Sequence, residues 1–226
     1  MSDAEASGPL LSHGAVRLPN AAIGSLAALD ETLREYPSEE AGVRIHGNAK
    51  LRQLLDREGP IGAIAAKALG ERSRAVRAIL FNKTPNTNWS LGWHQDRTIA
   101  VRERGEAPGF GPWTVKAGMN HVEPPFEVLA RMVTLRVHLD DVDAQNAPLL
   151  VAPGSHRIGR VSEVDIDEVV RRCGTFACLA EAGDVWLYST PILHASEAAM
   201  APRARRVLQV DYAAEDLPSG LEWLGV

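Results

Sequence analysis

The stretch "RMVTLRVHLDD", residues 131–141, alternates strongly between apolar and polar positions, without a break from Val133 to Asp140. Val133, Leu135, Val137 and Leu139 fall on one side, and Thr134, Arg136 and His138 on the other. Successive side chains of an extended chain point to opposite faces, so period two marks a strand with one face buried against a core. The other face carries an arginine and a histidine, which suits the wall of a polar pocket.

Similar runs lie on both sides of it. "RAVRAILFNK" (74–83) reads as a strand, and "TPNTNWSLGW" (84–93) as a turn-rich loop. "HQDRTIAVRE" (94–103) is extended, and "APLLVAPGSH" (147–156) is a strand entering a Pro-Gly turn. "GDVWLYSTPILHAS" (183–196) and "RVLQVDYA" (206–213) are two further strand runs. "VSEVDIDEVVRR" (161–172) is an insert of partly helical character.

The upstream sequence has a different period. Residues 1–12 read as a loose leader and "GAVRLPN" (14–20) as a short extended piece. Asn20 is placed to N-cap a helix through "AAIGSLAALDETLREY" (21–36). "AKLRQLLDRE" (49–58) and "IGAIAAKALGE" (61–71) are two more helices, separated by Gly59-Pro60. Helices followed by a series of strands predict a single α+β domain over 1–226, mainly β. Its part 13–73 is mostly helical, and 74–215 is the core of a β-sandwich or barrel.

Bulk properties narrow the function. A hydrophobic content of 45% and a charged content of 23% are ordinary for a globule with a real core. The net charge of −5 argues against nucleic-acid binding. No run approaches about 18 unbroken apolar residues, so no membrane span is expected, and the acidic N-terminus is no signal peptide. Cys173 and Cys178 read as reduced, buried thiols of a cytoplasmic protein. The expected partner is a small molecule; the oligomeric state is not legible.

His94 and Asp96 in "GWHQDR" (92–97) lie two apart, so on an extended chain their side chains share a side about 6.6 Å apart. Two histidines and a carboxylate on one face of a divalent metal, usually Fe(II), leave the opposite face open. His194, at the end of an apolar strand run, is the natural third ligand. "VHLDD" (137–141) holds a rival His-x-Asp, His138 and Asp140, which no third ligand and arginine follow at a matching distance. Eleven residues after His194 comes Arg205, on the same face as Gln209 and Asp211, while Arg206 shares its face with Leu208 and Val210. A planar guanidinium can hold a carboxylate bidentately. Arg205 is therefore the better candidate for a dicarboxylate partner and Arg206 the fallback. Ser196 is positioned to add a hydrogen bond.

Together "LFNKTPNTNWSLGWHQD", "LDDVDAQNAPLLVAPGSHR" and "HASEAAMAPRARR" resemble the phytanoyl-CoA dioxygenase-like family of Fe(II)/2-oxoglutarate oxygenases. Three separated motifs in the right order cover about residues 75–215. The resemblance implies a double-stranded β-helix, a cupin-like jelly-roll barrel, with N-terminal helices packed outside. It implies His94, Asp96 and His194 as metal ligands. It implies Arg205 and Ser196 as partners of the 2-oxoglutarate distal carboxylate. Fe(II), 2-oxoglutarate and O2 are the implied cofactors. The implied reaction is hydroxylation, or a related oxidation, of a small polar molecule with release of succinate and CO2. Halogenating relatives lack the carboxylate ligand, so Asp96 argues for hydroxylation.

Two departures stand out. Arg136 occupies the place of a family tryptophan near the cosubstrate, where an extra cationic contact to the cosubstrate or to an acidic substrate is expected, and Ala147 that of the glycine in the family's "NG" turn. His138, Trp113 and Lys83 are expected on the substrate side, with Trp93 as a further wall. His121 is expected in an active-site loop, His156 in a structural turn, and Gln95 pointing away from the metal. A jelly-roll binding protein, or a metal-dependent cupin enzyme that does not use 2-oxoglutarate, are the alternatives.

Overall fold

The computed structural model describes the backbone of residues 3–226 and side chains from Gly8 onward. Strands β1 (Ala15–Leu18), β2 (Gly42–Ile45), β3 (Arg74–Lys83), β8 (Val133–His138), β11 (Val185–Ser189) and β13 (Arg205–Ala213) form a six-stranded sheet in the order β1-β11-β8-β13-β3-β2. A four-stranded sheet has the order β10-β9-β12-β4, from β4 (Leu91–His94), β9 (Leu149–Val151), β10 (Phe176–Cys178) and β12 (His194–Ser196). β5 (Ile99–Val101), β6 (Trp113–Lys116) and β7 (Met119–Val122) make a third, small sheet. All pairings are antiparallel. The two larger sheets are the halves of a jelly-roll.

The apolar face of the six-stranded sheet points outward, under the helices. Val133, Leu135 and Val137 join Ala78, Leu80, Leu208 and Val210 in the main core. Onto this face pack Leu29 and Leu33 from α2 (Leu26–Leu33), Leu51 and Leu55 from α3 (Ala49–Leu55), and Ala65 from α4 (Gly62–Leu69). Each fully buried leucine contributes about 1.5–3 kcal/mol relative to exposure, so the helices are held mainly by this face. The opposite face is left to line the barrel interior, and it is polar.

Several elements differ from the sequence reading. The expected loose leader contains a helix, α1 (Asp3–His13). Asn20 caps nothing: its φ is +56° and its backbone N–H donates to Asp184 Oδ1 at 2.8 Å. The helix after it opens as a 3-10 turn, Ile23–Ser25, before α2. Asn48 does cap α3, accepting from Leu51 N at 2.9 Å. The run 183–196 is two strands in two sheets, β11 and β12, because the chain turns at Thr190–Pro191. β1 and β2, from the nominally helical part, extend the barrel at its two edges. The insert forms a helix, Ile166–Cys173, after a 3-10 turn, Glu163–Asp165.

Candidate active site

Strand register carries polar side chains inward in cross-strand rows. One row reads Trp186, Arg136, Gln209, Ile79 and Arg44 across five strands. The next reads Tyr188, Thr134, Asp211 and Arg77. At the other end Arg205 stands opposite Lys83. Between the sheets lies a cavity of about 660 Å³, lined among others by His94, Asp96, His194, Ser196, Arg136 and Gln209.

His94, Asp96 and His194 each bring a ligand atom within 4.8 Å of the others. His94 and His194 are directly opposite on β4 and β12. His94 Nδ1 donates to Gly92 O at 2.8 Å and His194 Nδ1 to Ile192 O at 3.0 Å. Both rings are thereby fixed with Nε2 as the available metal donor. Burial, and then the nearby His94, pull the His194 pKa down to about 4, which keeps it neutral and able to ligate.

The Asp96 carboxylate is held by groups the sequence reading missed. Buried Arg77 donates to Asp96 Oδ2 at 3.2 Å, to Asp211 Oδ2 at 2.5 Å and to Thr98 O at 3.2 Å. Asp211 is fixed from its far side by Thr134 Oγ1 at 2.9 Å. Gln209 Nε2 also reaches Asp96 Oδ2, at 3.5 Å. Oδ2 is thus occupied, and Oδ1 is left to ligate. Burial opposes ionisation of Asp96, but Arg77 and then the two histidines outweigh it and hold the carboxyl below its usual range. Period-two alternation on β3 puts Arg77 inward with Ile79, Phe81 and Lys83; no local signal pairs it with Asp96.

A second cluster is purely cationic. Arg205 is 1% exposed and donates through Nη1 to Ala147 O, while its Nε and Nη2 are buried without a partner among the described residues. Arg136 donates to Gln209 Oε1 at 2.8 Å and lies 5.3 Å over the Phe81 ring; its Nε too is buried and unpartnered. Lys83 donates to Ser196 Oγ at 3.2 Å and to Glu197 O, and sits 4.7 Å over Trp89. Burial and neighbouring Arg136 depress the Arg205 pKa, and burial with Arg205 and Arg136 brings Lys83 to about 8. Buried guanidinium donors left open among like charges are what an incoming carboxylate would satisfy. Arg206 faces the other way, paired with Asp140 and Asp30 at 2.7 Å each.

The residues expected on the substrate side are placed differently from one another. His138, Trp113 and Lys83 do not line the cavity. His138 is 1% exposed beside Arg136 and Arg205, its pKa driven down to about 3 by burial first and then by those arginines. Trp113 packs from β6 onto the cluster around Val76, Ile99 and Val122. Lys83 serves Ser196 instead. Trp93 does line the cavity. His121 is on β7 and fully buried, not in a loop. His156 sits in a 3-10 turn, Ser155–Arg157, against Gly14. Gln95 is a clamp: its amide donates to Gly159 O at 3.1 Å and Pro191 O at 2.8 Å and accepts from Val161 N at 2.9 Å. Ala147 adopts φ +52°, the left-handed conformation a glycine would supply.

With this geometry in hand, comparison with known proteins is direct. The sequence matches the phytanoyl-CoA dioxygenase (PhyH) family over residues 37–207. The chain belongs to the phytanoyl-CoA dioxygenase family. It is thus a 2-oxoglutarate-dependent non-haem iron oxygenase, with iron, 2-oxoglutarate and O2 as cofactors. No curated protein matches this oxygenase in sequence. Among solved structures it is similar to EctD from S. alaskensis, at 20% identity and TM-score 0.65, over 100% of this chain and 81% of that one. It is similar to SnoK, a non-heme alpha-ketoglutarate-dependent carbocyclase from nogalamycin biosynthesis, at 20% identity and TM-score 0.64, over 98% and 87%. HygX from Streptomyces hygroscopicus, solved with nickel and 2-oxoglutarate, follows at 15% identity and TM-score 0.62, over 92% and 86%. These likenesses establish the shared fold of the oxygenase. Among its described residues no helix is long and apolar enough to cross a membrane.

Proposed function

We propose that this oxygenase hydroxylates a small polar molecule, with His94, Asp96 and His194 holding the iron. The convergence of these three ligand atoms within 4.8 Å, on the wall of a 660 Å³ cavity, carries the reading. When bound, iron and 2-oxoglutarate activate O2 and oxidise substrate as 2-oxoglutarate becomes succinate and CO2. The residues of the chain do the positioning. The Nδ1 bonds of His94 and His194 set their rings, and Arg77 with Gln209 orients Asp96. Ser196 and Arg136 on the cavity wall, with Arg205 and Lys83 beside them, receive the distal carboxylate of 2-oxoglutarate. This gives Arg136 and Lys83 roles toward the cosubstrate.

An intact carboxylate at position 96 supports oxygen insertion over halogenation, since a carboxylate ligand fills the place a halide would need. The open donors of Arg205 support use of 2-oxoglutarate over a cupin-type metal reaction or plain ligand binding. Succinate formation is the test. Anaerobically loaded protein, exposed to air with a metabolite mixture, should release succinate only when 2-oxoglutarate is present, and His94→Ala should abolish release. Substrate oxidation independent of 2-oxoglutarate would overturn the reading, and mass spectrometry of the product separates a gain of one oxygen from cyclisation or epimerisation.

A further inference from the structure

The inward row of the six-stranded sheet ends at Arg44 on the edge strand β2, opposite Ile79. Arg44 lines the cavity, its Nε is buried without a hydrogen-bond partner, and it makes no ion pair among the described residues. Lys116, from the small third sheet, lines the same cavity and, among the described residues, donates only to the neutral Thr98 Oγ1, at 3.2 Å. Arg77 is the third cation here, and Asp211 and Asp96 answer it. Both carboxylates form their ion pairs with Arg77, and Asp96, which attracts Arg44 and Lys116 from a distance, is a proposed metal ligand. Like charges converge all the same: burial and then Arg77 depress the Arg44 pKa, and burial, Arg77 and Arg44 depress that of Lys116, against the pull of Asp96 in each case. Glu163 and Asp167 also line the cavity, but both are exposed and Glu163 faces Arg97 at 3.5 Å.

The carboxylate of 2-oxoglutarate assigned to Arg205 cannot serve this pair. Arg44 is level with Ile79 on β3 and Arg205 with Lys83, four residues on, which is about 13 Å along the strand. Resting on the oxygenase reading above, we infer that Arg44 and Lys116 bind an anionic group of the substrate. The substrate is then an organic acid or a phosphate ester, its remainder lying along Ile79, Phe81 and Trp93 toward the metal centre.

The test is calorimetry on anaerobic protein holding Fe(II) and saturating 2-oxoglutarate, titrated separately with inorganic phosphate and with acetate. Affinity for 2-oxoglutarate is measured first. At least one anion should bind saturably, phosphate pointing to an ester and acetate to a carboxylic acid. Arg44→Gln and Lys116→Gln should each weaken that binding at least tenfold, Arg44→Lys should retain most of it, and 2-oxoglutarate affinity should stay within about twofold throughout. The exposed control Arg102→Gln should change nothing. Failure of both anions to bind the 2-oxoglutarate-loaded protein, or binding indifferent to both glutamine variants, overturns the inference and leaves the oxygenase reading standing. If 2-oxoglutarate itself fails to bind, both fall together.

Discussion

His94 and His194 are one hundred residues apart in the chain and stand directly opposite each other on β4 and β12, ring centres 4.3 Å apart. Each ring is held by a bond from its own Nδ1 to the carbonyl two residues back. The metal face is therefore built into one strand pair, and Asp96 needs only to turn back toward it from two residues beyond His94.

Arg205 and Arg206 are adjacent and point to opposite faces of β13. Arg205→Ala should raise the apparent KM for 2-oxoglutarate about 10- to 100-fold, the worth of a charge-assisted hydrogen bond, with iron affinity little changed. Arg206→Ala should leave that KM alone and cost about 1 kcal/mol of stability through its half-exposed bonds to Asp140 and Asp30. Steady-state kinetics and urea unfolding check both. The reverse pattern would mean that the strand is turned over.

Arg77 neutralises two buried carboxylates. Arg77→Met should destabilise the protein by about 3–5 kcal/mol, since Asp211 and Asp96 would be left facing each other uncompensated. Iron affinity should fall about 10- to 100-fold, as for loss of a group that orients a ligand. Chemical denaturation and anaerobic Fe(II) titration read the two effects, and Arg77→Lys should restore part of each.

Gln95 lies between two ligands and ties three other main-chain groups together. Gln95→Ala leaves Val161 N, Gly159 O and Pro191 O without this partner. Stability should drop by about 2–3 kcal/mol. Amide exchange should rise at Val161, measured by hydrogen–deuterium exchange. An unchanged melting temperature would remove the clamp role.

Lys83 gives a pH dependence with two opposite signs. Its pKa is brought down to about 8 from an ordinary 10.5 by burial and by Arg205 and Arg136. Below pH 8 it is charged in both folded and unfolded chains, and the cost of that buried charge is fully present. Between about 8 and 10.5 the folded chain releases the proton first, so this contribution makes stability rise with pH. The charge assists carboxylate binding, so 2-oxoglutarate affinity should fall over the same window. Lys83→Met should flatten both profiles, as seen by thermal unfolding and calorimetry across pH 7–10.

The strands of the barrel were readable because alternation is local. Arg74–Lys83, Val133–His138 and the phase of Arg205 against Arg206 follow from side chains every second residue, and the grouping of His94, Asp96 and His194 was expected from the motifs. Of the small sheet β5-β7-β6 only β5 lay in a run read as extended; β6 and β7 are four residues each, too short for a period to show. Trp113 and His121 were misplaced for that reason. Asn20 had the chemistry of a helix cap, but Asp184, 164 residues away, offered its backbone N–H a stronger acceptor.

Local patterning was enough to pick out the residues able to ligate a metal, the polar strand faces, and the family the motifs resemble. Which charges meet was settled by folding. Arg77 reaches Asp96 and Asp211, Lys83 turns to Ser196, and Arg44 and Lys116 form no ion pair among the described residues. Alternation is a property of one strand. Charge pairing depends on register between strands distant in the chain, 134 residues for Arg77 and Asp211, and nothing local encodes it.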